Sequence, residues 1–510
     1  MTTSTSNAPA APPRPPDRAT DDAGGGAQDD AGAAAAVAEA PPPTTLAGRA
    51  VVALLVAALV ISTLAFGTVH PWAMGLFAAG AALCALLWAA DAWGARALRL
   101  SRSPMQLALA GLFAVGLVQL LPLGDHAAAG LAVEPARSLS LDPYSTRMAL
   151  VQIASLLVYF AAALVFINSP ARLRTVVRAL IIFGAGLALF GLLQFFLNPT
   201  QIYWIRQPQF AVPFGPFINR HHFAAYMELM IGLPAGLLLS GAVKKDLIPL
   251  YAFAAVIMSV SLVATASRGG IMSLGAEIFF LVVVAALARG RGRSGGESRG
   301  GALARAGLHL AVAGVLLAGV LLYAGQELMS RTVSTFLSDN VTTNRVFFWQ
   351  GAKKIIGEHP WLGAGLGSFG VAFTRHDPLN GVARLEQAHN DYLQVFADAG
   401  VVGGLLGLVF LVSLYRGGFA RLSSRDAYRR GVAVGALGGC TGILVHSFVD
   451  FPLHITAAAL LFLLLAALAT LDGRVEEAEK TKRRRRRRTG HGHGVEGAPA
   501  RAELEEHVAA

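Results

Sequence analysis

Along most of its 510 residues the chain alternates between long apolar runs and short polar interruptions. A helix needs roughly 20 mainly apolar residues to cross the hydrocarbon core of a bilayer. Twelve runs meet that length, at about 47–66, 72–90, 104–122, 148–167, 175–196, 222–240, 247–265, 270–288, 304–324, 396–415, 431–449 and 455–471. They predict an all-α, polytopic integral membrane protein, with a membrane domain over 46–471. The flanks are expected to be disordered tails: 1–45 is rich in Ala, Pro and Gly, and 472–510 is basic. No short apolar core with a cleavage site opens the chain, so no signal peptide is expected.

Composition supports this reading. Hydrophobic residues make up 54% and charged residues only 14%, where a soluble domain carries about 25% charged. So few charges would not cover a water-facing surface of this size. The net charge of +11 does not point to nucleic acid, because the cations sit in short clusters between apolar runs. Lys482 and the run Arg483 to Arg488 follow the last apolar run. There they act as a topology signal and a contact for anionic membrane lipid. Cys84 and Cys440 lie inside apolar runs, which leaves no disulfide framework and no CxxC metal site.

Charge placement orients the map. One set of loops holds 18 Lys and Arg, from Arg96 to Arg430, and the short loops of the other set hold five. The cation-rich side is cytoplasmic, so both termini are expected there. The segment 325–395, between the ninth and tenth runs, then lies outside. It carries six cations and six acids. Asn344 to Glu358 reads as an amphipathic helix, with Val346, Phe347, Ile355 and Ile356 expected on one face. The stretch 359–369, HPWLGAGLGSF, reads as tight turns against the membrane face. Its G-x-G pattern lacks the strand–turn–helix setting of a nucleotide fingerprint.

A transporter of two related halves shows an internal repeat. None is visible, and the link at 241–246 between the middle runs is very short. The asymmetric outer segment favours an enzyme with an outward-facing site. Several residues there bear on chemistry. Arg268 sits in a Ser-Arg-Gly-Gly stretch, and Arg220 opens a run beside His221 and His222. Arg at a run boundary often only snorkels to the interface. Adjacent histidines do not converge on one helix face, and no HxxxH spacing exists, so no metal is expected. Arg345 lies on the outer helix and His389 just before the tenth run. Glu228 and Glu277 fall inside apolar runs, where an acid is a functional candidate that needs an Arg or His partner. Asp450 reads as a loop-capping residue near an outer helix end.

Six stretches carry a resemblance, in order: NRHHFA at 219–224, SRGG at 267–270, NRxxxW at 344–349, EHPWLGAGLGSF at 358–369, AHNDYLQ at 388–394 and HSFVDFP at 446–452. Together, over a core of 219–452, they resemble the O-antigen ligase / O-antigen polymerase superfamily of bacterial membrane glycan transferases. The resemblance implies a GT-C-like fold and an inverting, metal-independent transfer on the periplasmic face, without cofactor. The implied donor is a glycan on undecaprenyl diphosphate; the implied acceptor is a sugar hydroxyl on lipid A–core or on a growing glycan. By that resemblance Arg268 and Arg345 bind the diphosphate, with Arg220 an added candidate, and His389 is the base. Glu228 is placed to orient or replace it. The rival reading is a transporter or flippase of polyprenyl-linked glycan.

Overall fold

A computed structural model describes residues 45–124, 137–209, 211–291, 343–377 and 385–476. The helices form one compact unit from Leu46 onward. They are α1 (Leu46–Leu64), α2 (Pro71–Ala95), α3 (Pro104–Gln119), α4 (Pro143–Phe166), α5 (Pro170–Leu197), α6 (Arg220–Leu239), α7 (Ile248–Ala264), α8 (Arg268–Arg291), α9 (Thr343–Glu358), α10 (Phe369–Phe373), α11 (Asp391–Arg421), α12 (Ala427–His446) and α13 (Thr456–Thr470). Among the described residues, eight helical stretches are long and apolar enough to cross a membrane, and α3 and α13 are shorter apolar helices. This is an all-α, multi-pass membrane protein, as the run pattern predicts. Eleven of the twelve predicted spans coincide with a helix. The expected span at 304–324 lies outside the described residues, as do most of both tails.

Helix starts follow local chemistry. Pro71, Pro104, Pro143 and Pro170 each open a helix, where a missing N–H costs nothing. Asp142, Ser169, Asn219, Asn390 and Asp426 cap first turns by accepting backbone N–H bonds. Between these ends α6, α12 and α13 are buried along most of their length. The α6–α12 contact is glycine on glycine. A Cβ on Gly232 or Gly236 would collide with the α12 backbone at Gly435, and one on Gly435 with Gly232. Such close approach gains van der Waals contact where lipid and side chains are equally apolar.

The outer helix α9 appears where expected but turns a different face inward. Ala352 and Ile355 are buried, with Phe348 and Ile356 packed beside them, whereas Val346 and Phe347 are exposed. Phe348, Ala352 and Ile355 are spaced by four and three, which stacks them on one side. The turns at 359–369 also appear. Gly363, Gly365 and Gly367 all have positive φ. The stretch docks on a break in α11, where Gly400 takes φ 63° and ψ −162°. Ala364 N–H donates to the Ala397 carbonyl at 2.8 Å, and Val401 N–H to that of Pro360 at 2.8 Å. Helix α11 therefore begins five residues earlier than its apolar run predicts, with a short helical segment ahead of the break.

Candidate active site

The first turns of α6, α8 and α11 and the last turn of α12 meet at one end of the bundle. Asn219 accepts the His221 N–H at 2.9 Å and sets the start of α6. His221 Nδ1 lies 2.8 Å from Ser267 Oγ, which also accepts the Gly270 N–H at 3.2 Å. That ties α6 to the tight α7–α8 turn, in which Ala266 holds φ 51°. A left-handed non-glycine residue costs on the order of 1–3 kcal/mol and persists only where the surroundings impose it. Arg268 follows directly and is exposed.

The His389 loop is stitched to the turn after α12. Asp391 N–H donates to the Ser447 carbonyl at 2.9 Å, and Asn390 Nδ2 to that of Phe448 at 3.0 Å. The Asp391 carboxylate accepts Ser447 Oγ–H at 2.8 Å and Leu453 N–H at 3.1 Å, with His454 Nδ1 at 2.6 Å. These bonds hold His389 itself at φ 50° and bring its Nδ1 to 3.3 Å from Asp450 Oδ1. Phe348 stacks on the imidazole, ring centroids 5.6 Å apart, and Phe451 meets it edge-on at 4.8 Å. The histidine side chain keeps 31% of its surface open, whereas Asp450 keeps 4%. Burial alone would raise the Asp450 carboxyl. The His389 hydrogen bond and the fields of His222, His446 and His389 outweigh it and hold the group well below the usual carboxylate range. Asp450 is thus a buried anion aimed at a half-open imidazole.

Beneath this pair, His446 Nδ1 lies 2.8 Å from Glu228 Oε1, both fully buried. Glu228 has therefore found the histidine partner that an intramembrane acid requires, and that partner is His446, not His389. Both Glu277 oxygens are buried without a partner among the described residues. His222 turns away from His221 and packs edge-on against Phe451, centroids 5.2 Å apart. Among the described residues no three of His, Cys, Asp and Glu converge as a metal-holding group.

The arginines converge on the same end. Arg220 and Arg345 are half-buried and, with Asp450 and His446, lie within electrostatic reach of His221. Arg268 stands one residue beyond Ser267, the partner of His221. All five candidate residues from the sequence thus gather at one end of the bundle. Two further groups join them: Asp450, expected only to cap a loop, faces His389, and His446, not singled out by the sequence, faces Glu228. Both sit in the 446–452 stretch, and only a fold reveals either pairing. Chemically the site offers a carboxylate-held imidazole for taking a proton, next to guanidinium forks suited to a diphosphate.

Residues 253–408 match the O-antigen ligase family model. That span runs from α7 into α11 and includes Arg268, Arg345 and His389. The chain is also similar to an O-antigen ligase of Pseudomonas aeruginosa PAO1, at 26% identity over 259 residues. The match covers 51% of this chain and 54% of that protein, so the chain spans about half the length of the relative. Both findings support the resemblance to the O-antigen ligase / O-antigen polymerase superfamily that the motifs carry.

Proposed function

We propose, from this kinship with O-antigen ligases, that the chain is a membrane glycan transferase that moves a glycan from undecaprenyl diphosphate to an acceptor sugar hydroxyl. The observation that carries the reading is the His389–Asp450 pair at the bundle end where Arg220, Arg268 and Arg345 gather. With Nδ1–H directed at Asp450, the other ring nitrogen, Nε2, is left to take a proton. The acceptor hydroxyl gives its proton to Nε2 as its oxygen bonds the anomeric carbon. The carbon–oxygen bond to the diphosphate breaks, and the electron pair leaves with the lipid diphosphate. A single displacement of this kind inverts the anomeric centre. The arginines meet the charge growing on the leaving group, a stabilisation made mainly in the transition state. They supply cationic charge where a metal ion would otherwise be needed.

The acceptor is lipid A–core in a ligase and a growing glycan in a polymerase, and the two share this chemistry. The site faces the periplasm from the inner membrane, because the short loops on its side are the cation-poor set. A flippase needs cation sites reachable from both faces, whereas these cluster at one, which favours the transferase. His389→Ala protein, purified in lipid nanodiscs, is expected to bind undecaprenyl diphosphate and transfer nothing, while wild-type transfer persists in EDTA. Lost donor binding in His389→Ala would assign the histidine to substrate contact or structure. A wild-type reaction stopped by EDTA and restored by a divalent ion would overturn the metal-free route.

A further inference from the structure

The Glu228–His446 pair lies just behind the site and has no step in the proposed reaction. Its surroundings tie it to two turns of the site. The α8 first turn, Arg268-Gly269-Gly270, rests directly on the pair. A Cβ on Gly269 would lie 2.8 Å from both Cδ2 and Nε2 of His446, and 3.0 Å from Val449. A Cβ on Gly270 would lie 2.9 Å from Ala224 and 3.3 Å from Glu228 Oε1. Real Cβ contacts are essentially never under 3.0 Å, so glycine at 269 is what lets the imidazole edge seat against the backbone beside Arg268. The same residue acts in the other direction through its main chain. The His446 carbonyl accepts N–H bonds from Val449 at 2.9 Å and Asp450 at 3.1 Å, which close the turn that aims Asp450 at His389. Glu228 fixes the imidazole by accepting at Nδ1, so the ring has one orientation.

We propose that His446, held by Glu228, is a positioning residue that sets the spacing between the Arg268 turn and the Asp450 turn. On the transfer reading above, that spacing is the one between the diphosphate-binding arginine and the base. A displacement of about 1 Å in such a constellation costs on the order of 100-fold in rate.

The geometry supplies a paired test. In His446→Asn the amide nitrogen takes the place of Nδ1 toward Glu228, but the ring edge against Gly269 is gone. Gly269→Ala places a methyl where that edge sits. Each single variant of the full chain in nanodiscs is expected to lose about 10- to 100-fold in turnover, with the pH profile of transfer keeping its wild-type shape. In the Gly269→Ala/His446→Asn double variant the methyl fills the space the ring vacates. Its turnover is expected to exceed the product of the two single effects by at least about tenfold. Spin labels at exposed Met272 on α8 and Phe448 beyond α12 read the spacing without any substrate. One narrow distance is expected in the wild type and a broadened one in each single variant. Multiplicative losses, an unmoved label distance, or a pH profile shifted by His446→Asn would overturn the positioning role. If His446→Asn does not fold, wild-type turnover and distance in Gly269→Ala overturn it equally. A wild type that neither binds undecaprenyl diphosphate nor transfers glycan overturns the transferase reading, while the label distances still decide the positioning role.

Discussion

On the proposed reading, Asp450 turns His389 from an ordinary loop histidine into a directed base, so its charge is the property to remove first. Asp450→Asn keeps the shape but leaves the imidazole without an anion, and transfer is expected to fall by about 100-fold or more in an initial-rate assay. Stability follows the same group. The folded Asp450 holds its proton less tightly than the unfolded chain does. Its contribution is therefore present above the ordinary carboxyl value, near pH 4, and is lost as pH falls through its depressed folded value. Thermal midpoints of wild type and Asp450→Asn are expected to converge as pH drops below about 4. His454 gives the opposite sign. Burial opposes its charge, but the hydrogen bond and field of Asp391 win and raise it. Its contribution is complete below about pH 6.5 and is lost as pH rises through the raised value, so His454→Gln is expected to lose its disadvantage in alkali. Among the arginines, Arg268→Ala and Arg345→Ala are each expected to abolish or severely impair transfer while the protein still inserts. Lys at either position restores only part, because an ammonium lacks the paired donors.

The break in α11 does for a helix what a loop would do for a soluble enzyme. Residues 391–399 form a short helical segment that carries Asp391, Gln394 and Asp398 at the site, and the apolar stretch beyond Gly400 runs on toward Arg421. The freed backbone groups are satisfied by the 360–364 segment, which membrane-depth backbone requires. Gly400→Ala meets two penalties, a left-handed φ and a collision with the Trp361 carbonyl. It is expected to lower the thermal midpoint in detergent by several degrees and to reduce transfer, since α11 carries His389's loop on its first turn. The α6–α12 glycine seam carries its own prediction. Gly435→Leu is expected to leave little folded protein by size-exclusion chromatography, because the collision there is with backbone that has no room to yield.

Arginine placement agrees with the order of the described helices. The ends bearing Arg172, Lys244, Lys245 and Arg429 are opposite the end bearing Arg220, Arg268 and His389, as alternate crossings require. Reporter fusions near residue 295 or after 475 are expected to behave as cytoplasmic, and those inside 325–395 as periplasmic. A cytoplasmic signal from 325–395 would remove the site from the side where its donor's diphosphate is proposed to lie.

The class of the molecule and the rough course of its helices were legible in the sequence, because burial in lipid is a property of each run by itself. A stretch of 20 apolar residues is apolar whatever its neighbours do. His389, Arg268 and Arg345 stand out as candidates through short local motifs. The pairings were not legible. His389 and Asp450 are 61 positions apart, and Glu228 and His446 are 218 apart; no local pattern relates such residues. The inward face of α9 was misread for a related reason, since which stripe of a short helix is buried depends on what it packs against. The break in α11 is legible only once the 359–369 turns are seen to occupy it. Hydropathy is local and additive and survives in one dimension. A hydrogen bond between two side chains exists only when packing has brought two distant turns to the same place.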